Sequence, residues 1–404
     1  MQDGDVRMKA RLTMAATLAA FVGAAGPAFA QCQGAGGFAD WLDAFKQEAA
    51  AAGISDEALA ALNRVRYDQS VVDSDRRQGV FSQSFLEFAG RMVAQYRMDQ
   101  GRQLLKKYAG TFDRIEAEYG VPGPVIVAFW GLETDFGANL GDKNSLQSLA
   151  TLAYDCRRPD MFRAELKAAL QLLDRGDLEA GDMVGAWAGE IGQMQFIPTE
   201  YLSTAVDYDG DGRRNLVRSL PDVLASSANL LLKHGWQGGQ PWLEEVRVTG
   251  DLPWEQADLA VRHPRAQWAE WGVVMADGSA LPADSMQASL LLPMGRNGPA
   301  FLAYPNFNVY TQWNKSLVYA TTAAYFATRL AGAPKVRPGN AKAVSRDGII
   351  DVQKRLQALG HDVGGVDGTL GAQTRAAVKQ VQAQLGLPAD SYPDAAFLAA
   401  LRRM

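Results

Sequence analysis

The stretch Val121–Glu133, VPGPVIVAFWGLE, constrains this chain more than any other. Its prolines stand only at the start, where a helix tolerates them because the first N–H groups have no intrahelical partner. Beyond them the segment is apolar on nearly every face, so as a helix it must be enclosed by other elements. Its one acid, Glu133, comes last. Phe129 and Trp130 lie four and three residues before it, on the same helix face. Burial against two aromatic rings disfavours the charged carboxylate and raises its pKa. An acid that keeps its proton near neutral pH is a proton donor suited to a glycosidic oxygen. The alternative is a solvated glutamate near a helix end. Asp135, two residues on, points elsewhere and is no obvious partner.

The surrounding sequence supplies the enclosure. Phe38, Trp41, Leu42 and Phe45 recur at helical spacing until Gly53. The pattern predicts further helices over 145–154, 160–173, 180–188, 198–204, 219–234 and 314–330. Between them, 240–310 reads as a small β-rich insertion of short β-prone runs (EEVRVTG, ASLLLPMG, AFLAYPNFNVY) split by Gly and Pro. A Pro/Gly/Lys linker covers 334–345. In the last segment, 346–404, Ile349, Val352, Leu356 and Leu359 form one helical stripe. Val378, Val381 and Leu385 form a second, with a final helix near 393–402. The fold class expected is mainly α, and 404 residues suffice for one large domain and one small one.

Charge and motifs exclude several chemistries. The net charge of −5 argues against a nucleic-acid partner, which calls for a basic stripe. His234, His263 and His361 are widely spread, and neither HExxH nor CxxC occurs, which disfavours a zinc hydrolase. GxSxG and the P-loop pattern are also missing. Acid–base chemistry must rest on carboxylates.

The N-terminus reads as a secretory signal over residues 1–30. Arg7, Lys9 and Arg11 precede an apolar run that ends at Ala28-Phe-Ala30, a small-x-small cleavage pattern; translation from Met8 would remove the acidic start. The product is expected to be exported, periplasmic, soluble after cleavage and monomeric. The two cysteines, Cys32 and Cys156, survive cleavage. In an oxidising compartment they are expected to form a disulfide, two buried thiols being the alternative.

WGLETDFG, around Glu133, resembles the catalytic signature of the lytic murein transglycosylase B family. Three further blocks agree in order: AGEIGQMQFIPTEYLSTAVDYDGDGRRNL, SSANLLLKHGW and NFNVYTQWNKSLVYA. The resemblance covers roughly 38–330, within a catalytic domain placed at 31–333. The segment DVQKRLQALG…VDGTLGAQTRAAVKQVQ resembles the three-helix peptidoglycan-binding module. The family implies a lysozyme-like helical domain that cleaves the MurNAc–GlcNAc bond without water. One glutamate, here Glu133, protonates the leaving oxygen. It then takes the proton of the C6 hydroxyl, leaving a 1,6-anhydro ring. No cofactor is required for that chemistry. A muramidase-type hydrolase and a silent wall-binding scaffold are the alternatives.

By the same resemblance Gln195 contacts substrate, as do Trp313 and Asn314. Their structural alternatives are a backbone-satisfying amide, core packing and a helix N-cap. Two positions depart from the family. Ala186 replaces a serine, and Glu190 replaces a small residue. Glu190 is expected at the surface; near Glu133 it would open a hydrolytic route. Finally, DYDGDGRRNL resembles half of an EF-hand loop. Asp207, Asp209 and Asp211 take positions 1, 3 and 5, Gly212 the sharp turn, and Arg213 a backbone carbonyl. Arg218 stands where the twelfth-position glutamate belongs, with Asp222 a possible substitute. A bound structural Ca2+ and a metal-free Asp/Gly turn both fit.

Overall fold

A computed structural model describes residues 36–76 and 82–404. The expected leader and Cys32 lie outside the described residues; Cys156 is disulfide-bonded. Helices come first: α1 (Gly37–Ala51), α2 (Asp56–Ala60), α3 (Gln69–Arg76), α4 (Phe85–Met92), α5 (Gln95–Lys107), α6 (Ala109–Tyr119) and α7 (Gly123–Thr134). A short strand β1 (Lys143–Asn144) follows, then α8 (Ser145–Tyr154), α9 (Pro159–Asp174), β2 (Val184–Gly185), α10 (Pro198–Thr204) and α11 (Leu220–Lys233). The β-rich part holds β3 (Leu243–Val248), β4 (His263–Pro264), α12 (Arg265–Glu270), β5 (Val273–Met275), β6 (Gln287–Leu291) and β7 (Ala300–Ala303). The chain then returns to helix: α13 (Phe307–Trp313), α14 (Leu317–Leu330), α15 (Arg346–Ala358), α16 (Ala372–Gln384) and α17 (Ala395–Leu401).

Helix α7 is the axis of the fold. Pro122 caps it, Pro124 sits in its first turn, and most of its residues from Val125 to Leu132 are buried. Helices α5, α6, α11 and α14 pack around it. The close approach to α14 depends on Gly131, where an added Cβ would lie 3.0 Å from Phe326 and 2.8 Å from Phe136. The insertion forms a five-stranded antiparallel sheet of order β4-β6-β7-β3-β5, with its own core around Trp268, Leu290 and Leu302.

Two expectations need correction. The helix over 180–188 is absent. A single turn, Ala180–Asp182, leads into β2, which pairs with β1. Glycines at 181, 185 and 189 weaken any helix there. At Gly185 the backbone folds back so closely that a Cβ would lie 1.7 Å from the carbonyl oxygen of Glu190. Second, the β-prone run AFLAYPNFNVY splits into β7 and helix α13. Buried Asn306 pins the start of α13: its amide donates to Gln237 O and Gln240 O and accepts from Gln237 N. The linker over 334–345 is stitched down. Val336 N donates to Tyr325 Oη, Arg337 N to Glu245 Oε1, and Asn340 N and Ala341 N both to Asn297 O.

The C-terminal module is therefore docked. Its core is built from Val352, Leu356, Val378, Val381 and Phe397 of α15–α17, while Leu359 is exposed. Arg375 donates to Leu292 O at 3.3 Å and to Pro293 O, and Lys379 pairs with Asp258 at 2.8 Å. Asp390, almost fully buried, accepts from Arg296 N and Nη1, Gln382 Nε2 and Tyr392 N. Removing one partner of a buried ion pair typically costs about 3–5 kcal/mol. Asp390→Ala is expected to lower the thermal unfolding midpoint and to make 334–345 sensitive to limited proteolysis.

Candidate active site

Helix α7 stops abruptly after Glu133 and Thr134. Asp135, Phe136 and Gly137 all take left-handed backbone conformations, with φ of 54°, 61° and 85°. Such conformations cost of order 1–3 kcal/mol for non-glycine residues, so the surroundings must impose them. Asp135 accepts from Arg97 Nε at 2.9 Å and from Tyr96 Oη at 3.2 Å. Phe136 packs edge-on against Trp130. Thr134 Oγ1 donates to Gln193 O at 2.6 Å and accepts from Gly137 N. Asp135 thus points away from Glu133 and is neutralised by Arg97.

Glu133 Oε1 accepts two hydrogen bonds, from Trp313 Nε1 at 2.8 Å and from Tyr319 Oη. Phe129 lies flat on Trp313, with ring centroids 4.2 Å apart, and Phe196 meets the same indole edge-on. The residue as a whole keeps partial exposure, but this lining strips its carboxyl of most hydration. Burial pushes its pKa up to about 7. The charge of Glu190 adds to the rise, while the Tyr319 and Trp313 hydrogen bonds oppose it. Tyr319 is buried, and its hydroxyl is pushed well above the usual phenol range by burial and by Glu133. It therefore remains a donor at any physiological pH.

Trp313, at the end of α13, grips the carboxyl and stacks on Phe129, so one of its faces is already occupied. Asn314 ends α13 instead of opening the next helix. Its Oδ1 accepts from Ser316 N, and Ser316 is the N-cap of α14. Gln195, in a left-handed conformation with φ of 52°, donates its amide to Leu140 O at 3.1 Å and Gly192 O at 2.9 Å. Its nitrogen is committed to backbone. Its carbonyl oxygen accepts no bond among the described residues. Glu190 is partly buried, not a surface residue. Its Oε2 has no solvent contact and no partner, and burial raises its pKa. A cavity of about 940 Å³ adjoins the α13–α14 junction, between the β-sheet and the C-terminal module. Asn314 lines it and Glu133 does not.

Tyr319 was not among the residues singled out from the sequence. The signal was present, since a tyrosine in a helix otherwise rich in small and apolar residues needs a polar partner when buried.

Away from this centre, the carboxylate oxygens of Asp207, Asp209 and Asp211 lie within 4.8 Å of one another. Three oxygen donors suit a hard divalent cation. Arg213 N donates to Asp211 Oδ1, and Asp222 is spent on the N–H groups of Tyr208 and Asn215.

The model of the transglycosylase SLT domain matches residues 37–328, and that of the putative peptidoglycan-binding domain matches 345–401. The chain belongs to the lytic murein transglycosylase B family. Among curated relatives, membrane-bound lytic murein transglycosylase B of Escherichia coli (strain K12) is 30% identical over 239 residues. That alignment spans 59% of this chain and 64% of the relative. Family members of known structure include SltB3 from Pseudomonas aeruginosa, solved in complex with NAG-anhNAM-pentapeptide. It is 41% identical, the match covers 90% of this chain and 99% of that one, and the TM-score is 0.83. Slt35 of Escherichia coli, solved in complex with calcium, is 27% identical over 72% of this chain and 92% of its own, with a TM-score of 0.63.

Two outcomes follow from the geometry. The folded-state pKa of Glu133 exceeds its ordinary 4.5, so its ionisation opposes folding above that value. The penalty is absent at pH 4 and grows to about 3 kcal/mol above pH 7. Glu133→Gln is expected to raise the unfolding midpoint at pH 8 and not at pH 4, as thermal melts across pH will show. Tyr319→Phe removes a donor to a charged group, worth about 1.5–3 kcal/mol. It is expected to slow turnover roughly 10- to 100-fold, by the same conversion, and to raise the pKa of Glu133.

Proposed function

We propose that this protein is an exported lytic transglycosylase that cleaves the β-1,4 MurNAc–GlcNAc bond of peptidoglycan without water. The observation that carries the reading is the single carboxyl of Glu133, held near neutral pKa by burial and gripped by two uncharged donors. Protonated, it delivers its proton to the glycosidic oxygen as the C1–O bond breaks. The carboxylate left behind is steadied by Tyr319 and Trp313. It then accepts the proton of the C6 hydroxyl as that oxygen bonds to C1, which closes the 1,6-anhydro ring and restores the acid. Protons balance, and no second nucleophile is needed.

Hydrolysis needs a second carboxylate that holds a water or attacks C1. Oε2 of Glu190 is closed off from solvent, which counts against a water held on that oxygen. Asp135 is turned away and paired with Arg97. SltB3, which shares 41% identity across nearly its whole length, was solved with an anhydro-sugar peptide, and this supports the same outcome here. The docked C-terminal module supports a polymeric wall substrate. No helix among the described residues is long and apolar enough to cross a membrane. The Asp207–Asp209–Asp211 cluster would hold a Ca2+ as a structural clip on its loop, with the Arg213 carbonyl as a fourth donor.

Mass spectrometry of digested sacculi is expected to find anhydro-muropeptides; reducing MurNAc ends would indicate hydrolysis instead. Glu133→Gln is expected to lose at least 100-fold in rate, the scale of general acid–base catalysis, while still binding peptidoglycan. Millimolar calcium is expected to raise the unfolding midpoint of the wild type and not of Asp209→Asn; equal shifts, or none, would remove the metal site.

A further inference from the structure

The cavity of about 940 Å³ beside the α13–α14 junction has no part in the reaction above. The catalytic part supplies Asn314, Lys315 and the end of β6 as its walls, and the C-terminal module supplies Thr369 and Ser391. Docking of the module therefore creates it. It begins one residue from the catalytic acid, because Asn314 follows Trp313, whose indole holds Glu133 at 2.8 Å. No aromatic ring lines it among the described residues, so it lacks a platform on which a sugar could stack. It has aliphatic walls and polar groups without partners instead. Ser391 is buried and held in a left-handed backbone conformation, with φ of 65°, by the bond from its N–H to Gln382 Oε1. Its hydroxyl makes no hydrogen bond among the described residues. Asn314 Oδ1 is taken by Ser316 N, and its Nδ2 is free. Exposed Lys315 has neither an ion pair nor a hydrogen bond. The carboxylates of the walls are already matched: Asp75 with Arg157 and Arg158, Asp258 with Lys379, and Asp390 with Arg296. Asp367 accepts from Gln353 Nε2 and Thr369 N. Arg76 is paired with Asp155. Arg375 donates only to the carbonyl oxygens of Leu292 and Pro293, and its Nε is buried without a partner. Lys315 and Arg375 are thus two cations without an anion at one cavity.

We propose that this cavity binds a short peptide with free carboxylates, the peptide carried by the sugar that Glu133 cleaves. Lys315 receives a carboxylate, while Asn314 Nδ2 and Ser391 Oγ donate to peptide carbonyls. Arg375 adds an uncompensated positive charge behind the wall and is too enclosed to touch the ligand. The volume suits a small ligand and is too small for a folded partner. Donors and cations without acceptors, set among aliphatic side chains, fit a peptide of small residues better than a glycan. The docked module then has a second use, as one wall of a peptide site. This inference rests on the peptidoglycan reading for the identity of the peptide.

Isothermal titration calorimetry of the full chain tests this without turnover. The probes are a synthetic peptidoglycan stem peptide with free carboxylates, the same peptide fully amidated, and a β-1,4-linked GlcNAc tetramer. The free-acid peptide is expected to bind the wild type, and to bind Lys315→Glu at least about 10-fold more weakly, the size of one charge-assisted hydrogen bond. Lys315 is exposed, so that variant should fold. The amidated peptide is expected to bind the wild type as weakly as the free acid binds Lys315→Glu. Ala376→Trp, which fills the cavity from the side of the module, should abolish binding. The tetramer should not displace the peptide. Failure of the free-acid peptide to bind the wild type would overturn the proposal. So would equal affinity in all three proteins, binding that neither amidation nor Lys315→Glu weakens, or displacement by the tetramer. Reducing ends in digested sacculi would defeat the transglycosylase reading and leave the calorimetry standing. Anhydro ends without peptide binding would do the reverse.

Discussion

Two hydrogen bonds to one oxygen organise this protein. Trp313 and Tyr319 both donate to Glu133 Oε1, and neither donor carries a charge. A lysine or arginine in either place would pull the carboxyl toward permanent ionisation and remove its value as an acid. Neutral donors do less. They steady the carboxylate when it forms, yet leave burial as the stronger influence, so the proton stays until the substrate takes it. Everything nearby serves this arrangement. Helix α7 is buried so that its last turn can be, and three left-handed residues stop it where Glu133 ends. The α13–α14 junction exists to bring two donors from one connection to one atom.

The cost is carried by the rest of the fold. A carboxyl whose ionisation opposes folding by about 3 kcal/mol above pH 7 is a large fraction of a typical domain's net stability. Backbone strain after α7 adds to it. The offset lies in the apolar packing of α5, α6, α11 and α14 around α7, and in ion pairs that fix the periphery. The C-terminal module belongs to this framework. A stitched linker and the buried Asp390 hold it against the β-sheet.

Much of this was legible in the sequence. The all-round apolar helix, the glutamate at its end and the β-rich insertion follow from periodicity and composition, which report burial directly. The docked linker was not legible, because Pro, Gly and Lys look alike whether solvated or stitched to a neighbour. The helix expected over 180–188 failed because apolar spacing says nothing of a backbone crossing at Gly185 that leaves no room for a side chain. Gln195 and Asn314 were read from the family resemblance. Which of their atoms are already spent on backbone groups depends on tertiary contacts, as does the approach of Tyr319, 186 residues away, to Glu133.

The central claim is that its surroundings keep Glu133 protonated near neutral pH. Carboxyl 13C NMR of the wild-type protein labelled at glutamate, with Glu133→Gln used to assign the resonance, measures this directly. The account predicts a titration midpoint close to 7. A midpoint near 4.5, the ordinary value for glutamate, would contradict it.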